Sequence, residues 1–147
     1  TRQPYMYSRQ HSTKVMRRHR FVLTLGSNDR PSERIAWTLE QLAALPLELR
    51  SSTPRSSSPV DFPLSSAPFT DVVLLGYTAL ELDELQRLLK ALEQRAGRTP
   101  EQRQAHPERI PIDIDLITWD GTILKPKDCT RPYLQQGLAE LGVPLLD

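Results

Sequence analysis

Cysteine is almost absent from this chain. The single Cys129 can make no internal disulfide, which fits a reducing compartment. It has no neighbouring His or Cys and reads as a bystander. Long apolar runs are missing too: none approaches the ~20 residues that cross a bilayer, and no apolar signal-type segment is present. A cytoplasmic protein without membrane contact is expected. No Gly-x-x-x-x-Gly-Lys loop occurs, which disfavours a P-loop nucleotide enzyme. His11, His19 and His106 stand apart from any partner motif for metal or triad chemistry. There are no internal repeats. Acidic residues are absent from residues 1–20, which carry Arg2, Arg9, Lys14, Arg17, Arg18 and Arg20. Six charges without an amphipathic stripe read as a solvated basic extension rather than a nucleic-acid arm.

The remaining residues hold 13 basic and 18 acidic side chains, of totals of 19 and 18, a clear acidic excess. A length of 147 residues, with 38% hydrophobic and 25% charged content, suits one globular domain with a real core. That domain is expected over residues 21–147. The 13 prolines fall mostly outside the periodic segments and predict long loops.

The most informative stretch is Arg109-Ile-Pro-Ile-Asp-Ile-Asp-Leu-Ile, residues 109–117. Apolar and acidic residues alternate, a period of two that predicts a strand. Asp113 and Asp115 then share one face, and Ile112, Ile114 and Leu116 point into a core. Two adjacent carboxylates repel each other, and a hard divalent cation would relieve that repulsion. Arg98, Arg103 and Arg109 precede the pair. Cation plus arginines suits a polyphosphate.

In chain order, Phe21–Leu25 predicts a buried first strand that enters a Gly-Ser-Asn turn. A helix follows, with Ser32 as N-cap, Ile35, Leu39, Leu42 and Leu45 at helical spacing, and Pro46 as its stop. Residues 47–55 read as a second strand and 56–68 as a Ser- and Pro-rich loop. Phe69–Thr78 reads as a long third strand. The second helix buries Leu82, Leu85, Leu88, Leu89 and Leu92 and ends at Gly97. Residues 98–111 read as a polar loop before the Asp-x-Asp strand. Asp120-Gly121 predicts a tight turn into a short return strand, and Tyr133–Leu141 a last helix. The fold class is therefore α+β, a ferredoxin-like β-α-β-β-α-β sandwich with an antiparallel sheet, plus a C-terminal hairpin and helix.

Five stretches in order, Leu25-Gly-Ser-Asn, Ser51-Ser, Phe69-Thr-Asp, Glu93-x-x-x-Gly-Arg98 and Asp113-Ile-Asp115, resemble the 6-hydroxymethyl-7,8-dihydropterin pyrophosphokinase family over roughly residues 21–140. The resemblance implies transfer of pyrophosphate from ATP to the pterin hydroxymethyl group, release of AMP, and two Mg²⁺ ions. It implies Asp113 and Asp115 as metal ligands and Arg98 and Arg109 as catalytic phosphate-gripping arginines. Glu93, Arg98, Arg103, Arg109 and Tyr133 are implied for ATP, and Asn28, Ser56, Ser57, Phe69 and Asp71 for the pterin. A monomer with no nucleic-acid partner is expected.

The chain departs from the family pattern in places. Asp71 stands where Asn is usual, Ser56-Ser57 replaces Thr-Pro, and Pro132 replaces a His. The loop before the Asp-x-Asp strand is longer and lacks a tryptophan. An arginine after the tyrosine has no counterpart, so this is a short, divergent form. The alternative expectation is a weak or inactive paralogue that serves as a nucleotide- and pterin-binding or interaction module.

Overall fold

The computed structural model describes residues 17–147; most of the basic extension lies outside them. The first strand, β1 (His19–Ser27), starts two residues before the expected Phe21. Helix α1 (Pro31–Ala43) follows, then β2 (Leu47–Ser51), β3 (Arg55–Ser57), β4 (Phe69–Thr78) and α2 (Leu82–Arg95). The remainder is α3 (Pro100–Ala105), β5 (Asp113–Trp119), β6 (Thr122–Ile123), a 3₁₀ turn at Pro126–Thr130, and α4 (Pro132–Leu141). Every neighbouring strand pair is antiparallel. The strand order is β2-β4-β1-β5-β6, with β3 also on β4. This is the ferredoxin-like α+β arrangement, with the β1-α1-β2 and β4-α2-β5 units interleaved in one sheet.

The three central strands are buried on both faces. On one face Phe21, Leu23, Leu25, Val72, Leu74, Ile114 and Leu116 pack against Ile35 and Leu42 of α1 and Leu85, Leu89 and Leu92 of α2. On the other, Val22, Val73, Leu75 and Ile117 pack against Leu134, Leu138 and Leu141 of α4. Helix α4 lies very close to the sheet because of Gly137. A Cβ there would come within 2.4 Å of a Val73 methyl. It covers only part of its face, and the uncovered part is where Asp71, Asp113 and Asp115 lie.

Several boundaries differ from expectation. Ser32 is not the N-cap of α1. Arg30 takes that place with φ 47, and Pro31 occupies the first helical turn, where its missing N–H costs nothing. The second strand divides: Ser52 turns its hydroxyl into the sheet and donates its N–H to Val73 O at 2.8 Å, so pairing resumes only at Arg55. The expected loop at 98–111 contains α3, whose N-cap Thr99 accepts from Gln102 N, with Pro100 at the first position. Helix α2 starts at a capping box in which the Glu81 and Glu84 side chains each meet the other's backbone. Asp120 (φ 48) and Gly121 (φ 83) form the predicted tight turn.

Candidate active site

Residues directly opposite each other in an antiparallel pair share a face. Gly26 in β1 faces Asp71 in β4 on one side and Asp113 in β5 on the other. One step along, Thr24 faces Val73 and Asp115. The three aspartates therefore stand on one open face, around a glycine that keeps the floor low. A Cβ on Gly26 would meet Asp71 Oδ1 at 3.2 Å and the Phe69 ring at 3.8 Å.

Above this floor lies a cleft of about 510 Å³, within the usual range for small-molecule sites. The sheet supplies Phe69, Asp71, Asp113 and Asp115, and β3 supplies Ser56 and Ser57. The end of α2 delivers Arg98, and α4 delivers Tyr133. These eight are the predicted site residues that the fold brings together.

The other four lie outside the cleft lining. Asn28 clamps the loop before β5: its Oδ1 accepts from Ile110 N at 2.6 Å, and its Nδ2 donates to Glu108 O at 3.0 Å. Glu93 is buried behind the sheet, where Oε2 accepts from Ile114 N at 2.7 Å, between the two aspartates. Arg103 is exposed on α3. Arg109 is also exposed and lies 3.7 Å from Glu108.

The electrostatics are strained toward cation binding. Burial and the adjacent Asp113 push the Asp115 carboxyl up to about 8. Burial pushes Asp71 up to about 6, opposed by the hydroxyl that Ser57 donates and assisted by Asp113. Glu93 is raised by burial, partly offset by the Ile114 N–H. The Tyr133 phenol is raised by burial and by the carboxylates of Asp71, Asp128 and Asp115. Arg98 Nη1 donates to Asp113 Oδ1 at 3.1 Å, while its buried Nε has no hydrogen-bond partner. Lys125 Nζ stands 4.0 Å from Asp115.

Burial and the neighbouring Asp113 carboxylate make the charge of Asp115 costly. A divalent cation fits the hard oxygen donors of this pair. No cluster of three or more metal-binding side chains occurs among the described residues. A cation here would thus complete its shell with water or ligand oxygens, as Mg²⁺ commonly does.

The model of the 7,8-dihydro-6-hydroxymethylpterin-pyrophosphokinase family matches residues 22–143. The chain belongs to that family. Membership carries, in general terms, the role of a folate-pathway pterin pyrophosphokinase, an enzyme class that generally uses ATP and Mg²⁺. No curated protein matches the chain. No helix among the described residues is long and apolar enough to cross a membrane.

The sequence reading of this pyrophosphokinase-family chain missed several cleft residues. Gly26, Phe62, Asp128, Arg131 and Gln136 all line the cleft. Gly26 carried a signal, a glycine closing an apolar strand. Asp128 and Arg131 sit in an aperiodic stretch that nothing local ties to β5. Arg131, at the start of α4, reaches toward Asp61 at 3.6 Å and Asp128 at 3.7 Å.

Proposed function

We propose that the cleft transfers the pyrophosphoryl group of ATP to the hydroxymethyl group of 6-hydroxymethyl-7,8-dihydropterin and releases AMP. The observation that carries this reading is the Asp113–Asp115 pair, sharing an open face beside Arg98 with its unpartnered Nε. Phosphoryl-type transfer needs little covalent help from protein. It needs positioning and neutralisation of charge. Mg²⁺ held by Asp113 and Asp115 would supply that neutralisation, with two ions expected from the family chemistry. Arg98, which lines the cleft beside Asp113, offers its guanidinium to phosphate oxygens. Tyr133 extends the phosphate side from α4. On the opposite side, Phe69 offers a ring face and Asp71 an acceptor, with Ser56 and Ser57 on the flank. Glu93 and Asn28 act one layer out: each holds a backbone N–H of the segment that leads through Asp113. The protein would work as a monomer in the cytoplasm, without nucleic acid or membrane.

The test is AMP formation from ATP and Mg²⁺, with and without the hydroxymethyl pterin. Pterin-dependent AMP supports the enzyme. A second reading, a binding module with weak or no transfer, is favoured by one observation: Arg103 and Arg109 stand outside the cleft lining. Binding of both ligands without AMP would establish that reading instead.

A further inference from the structure

Helices α1 and α2 cover the same face of the sheet, and Arg34 of α1 joins them where α2 ends. Its Nη1 donates to the carbonyl oxygen of Ala96, the C-cap of α2. Its Nη2 stands 3.7 Å from Asp29 Oδ2. The last carbonyls of a helix have no partner within it, and a cation there also meets the negative end of the helix dipole. Ala96 is 6% exposed, so water offers little replacement for the guanidinium. Gly97 follows with φ 109, a conformation that suits glycine. A Cβ at Gly97 would come within 2.9 Å of Arg34 Nη1. The bare backbone of this glycine is what admits the guanidinium.

Arg98 is the next residue, and its aim depends on this junction. Its Nη1 donates to Asp113 Oδ1 at 3.1 Å and to Ile112 O at 3.4 Å, while its buried Nε has no partner. An anion that draws the guanidinium from Asp113 takes away its best side-chain anchor. What then directs Arg98 is its backbone. Arg98 N donates to Glu93 O at 3.0 Å, and the Ala96 carbonyl just before it is held by Arg34. Asp29, which steadies Arg34, is itself held: its N–H donates to Ser27 Oγ at 3.3 Å. Ser27 closes β1, one residue past Gly26 in the cleft floor. A path from the floor to Arg98 thus runs through Ser27, Asp29, Arg34 and Ala96, none of which lines the cleft.

We infer that Arg34 is a positioning residue for Arg98: by holding the last carbonyl of α2 it fixes the direction in which Arg98 leaves the helix for the cleft. This rests on the reading above in which Arg98 meets phosphate. Because Arg34 stays outside the cleft lining, its effect on an anionic ligand passes through Arg98. A brace that served stability alone would change the melting temperature and leave the grip on phosphate as it was.

The experiment is titration of α,β-methylene-ATP, which lacks the bond broken in pyrophosphoryl transfer, into the full chain with excess Mg²⁺. The proteins are wild type, Arg34→Gln, Arg34→Lys, Arg98→Ala and the double variant Arg34→Gln/Arg98→Ala, all held below their melting range. Arg34→Gln keeps a polar side chain but lacks the fork that meets Ala96 and Asp29 together. It should weaken binding of the analogue about fivefold, and Arg98→Ala about tenfold or more. The double variant should match Arg98→Ala within about twofold, because two residues that act through one contact are not additive. Arg34→Lys keeps a cation and an N–H donor and should recover most of the loss. Wild-type affinity in Arg34→Gln, a loss that persists in full in the Arg98→Ala background, or no recovery in Arg34→Lys would each overturn the inference and leave the pyrophosphokinase reading standing. Wild-type affinity in Arg98→Ala would overturn the phosphate role of Arg98 and the inference with it.

Discussion

At the scale of single residues, the chemistry concentrates in aspartates whose charge the fold makes costly. Replacing Asp113 or Asp115 with Ala should abolish Mg²⁺-dependent binding of ATP while the fold remains. Calorimetric titration in excess Mg²⁺ checks this, and wild-type affinity in the double variant would refute the metal site. Asp71 makes a prediction about pH. Its carboxyl is raised from 3.8 to about 6, so the folded state holds that proton more tightly than the unfolded chain. The associated stability is complete below 3.8 and is lost as pH rises through about 6. Thermal melts of ligand-free protein should therefore show the midpoint of wild type falling, relative to Asp71→Asn, as pH climbs through that window. Ionised Asp71 can only accept hydrogen bonds, which suits the amino group and ring N–H of a pterin. Pterin affinity should thus rise as pH passes about 6 in wild type and stay flatter in Asp71→Asn, with at least a several-fold difference between them at pH 7 and ATP affinity nearly equal. Equal pterin affinities would put Asp71 outside the recognition of the ring. The same-face placement of Asp113 and Asp115 was legible because strand alternation is a local rule. The companionship of Asp71 and Asp113 across Gly26 was not, since register between distant strands is written in no single stretch.

At the scale of elements, helix ends and strand ends do the positioning. Glu93, on the last turn of α2, accepts the one backbone N–H that lies between the two aspartates. Glu93→Ala leaves that buried group without a partner, at a cost of about 1–3 kcal/mol. It should also lower pyrophosphoryl transfer by loosening β5. Glu93→Gln keeps an acceptor and should recover most of the stability, as denaturant melts would measure. Gly137 sets the depth of α4. Gly137→Ala forces a methyl toward Val73 and should destabilise the protein by about 1–3 kcal/mol, while moving Tyr133 away from the cleft. Unchanged stability would mean that the helix slides at no cost. The long strands β1, β4 and β5 and the helices α1 and α2 were legible from period and punctuation. The break between β2 and β3 and the short α3 were not. A buried serine that interrupts a strand, or six helical residues amid prolines, produces no sustained period. Asn28 shows the converse: its place in a turn was legible, but its grip on residues 108–110 depends on a loop some 80 positions away.

At the scale of the whole molecule, the cleft collects Asp61, Asp71, Asp113, Asp115 and Asp128 against Arg98 and Arg131. Its field repels a bare polyphosphate. ATP should bind weakly in a chelator, and divalent cation should raise its affinity by at least about tenfold; equal affinity in both conditions would count against this charge balance. The segments 56–68 and 98–111 border the cleft from opposite sides. Hydrogen exchange in both should slow when an ATP analogue and pterin are added, and equal exchange would argue against closure over the ligands. The sheet order described above also bears on how the chain comes into being. Among the described strands the central one, β1, is made first, yet its partners there are β4 and β5. Phe21 faces Trp119, roughly a hundred residues later in synthesis. At ~5–20 residues per second on the ribosome, Phe-Val-Leu-Thr-Leu waits roughly 3–11 s for β4 and roughly 5–20 s before both neighbours exist. Such a segment is a template for pairing with other chains. The yield of soluble protein should therefore depend on translation speed and chaperone supply more steeply than the final stability of the fold would suggest.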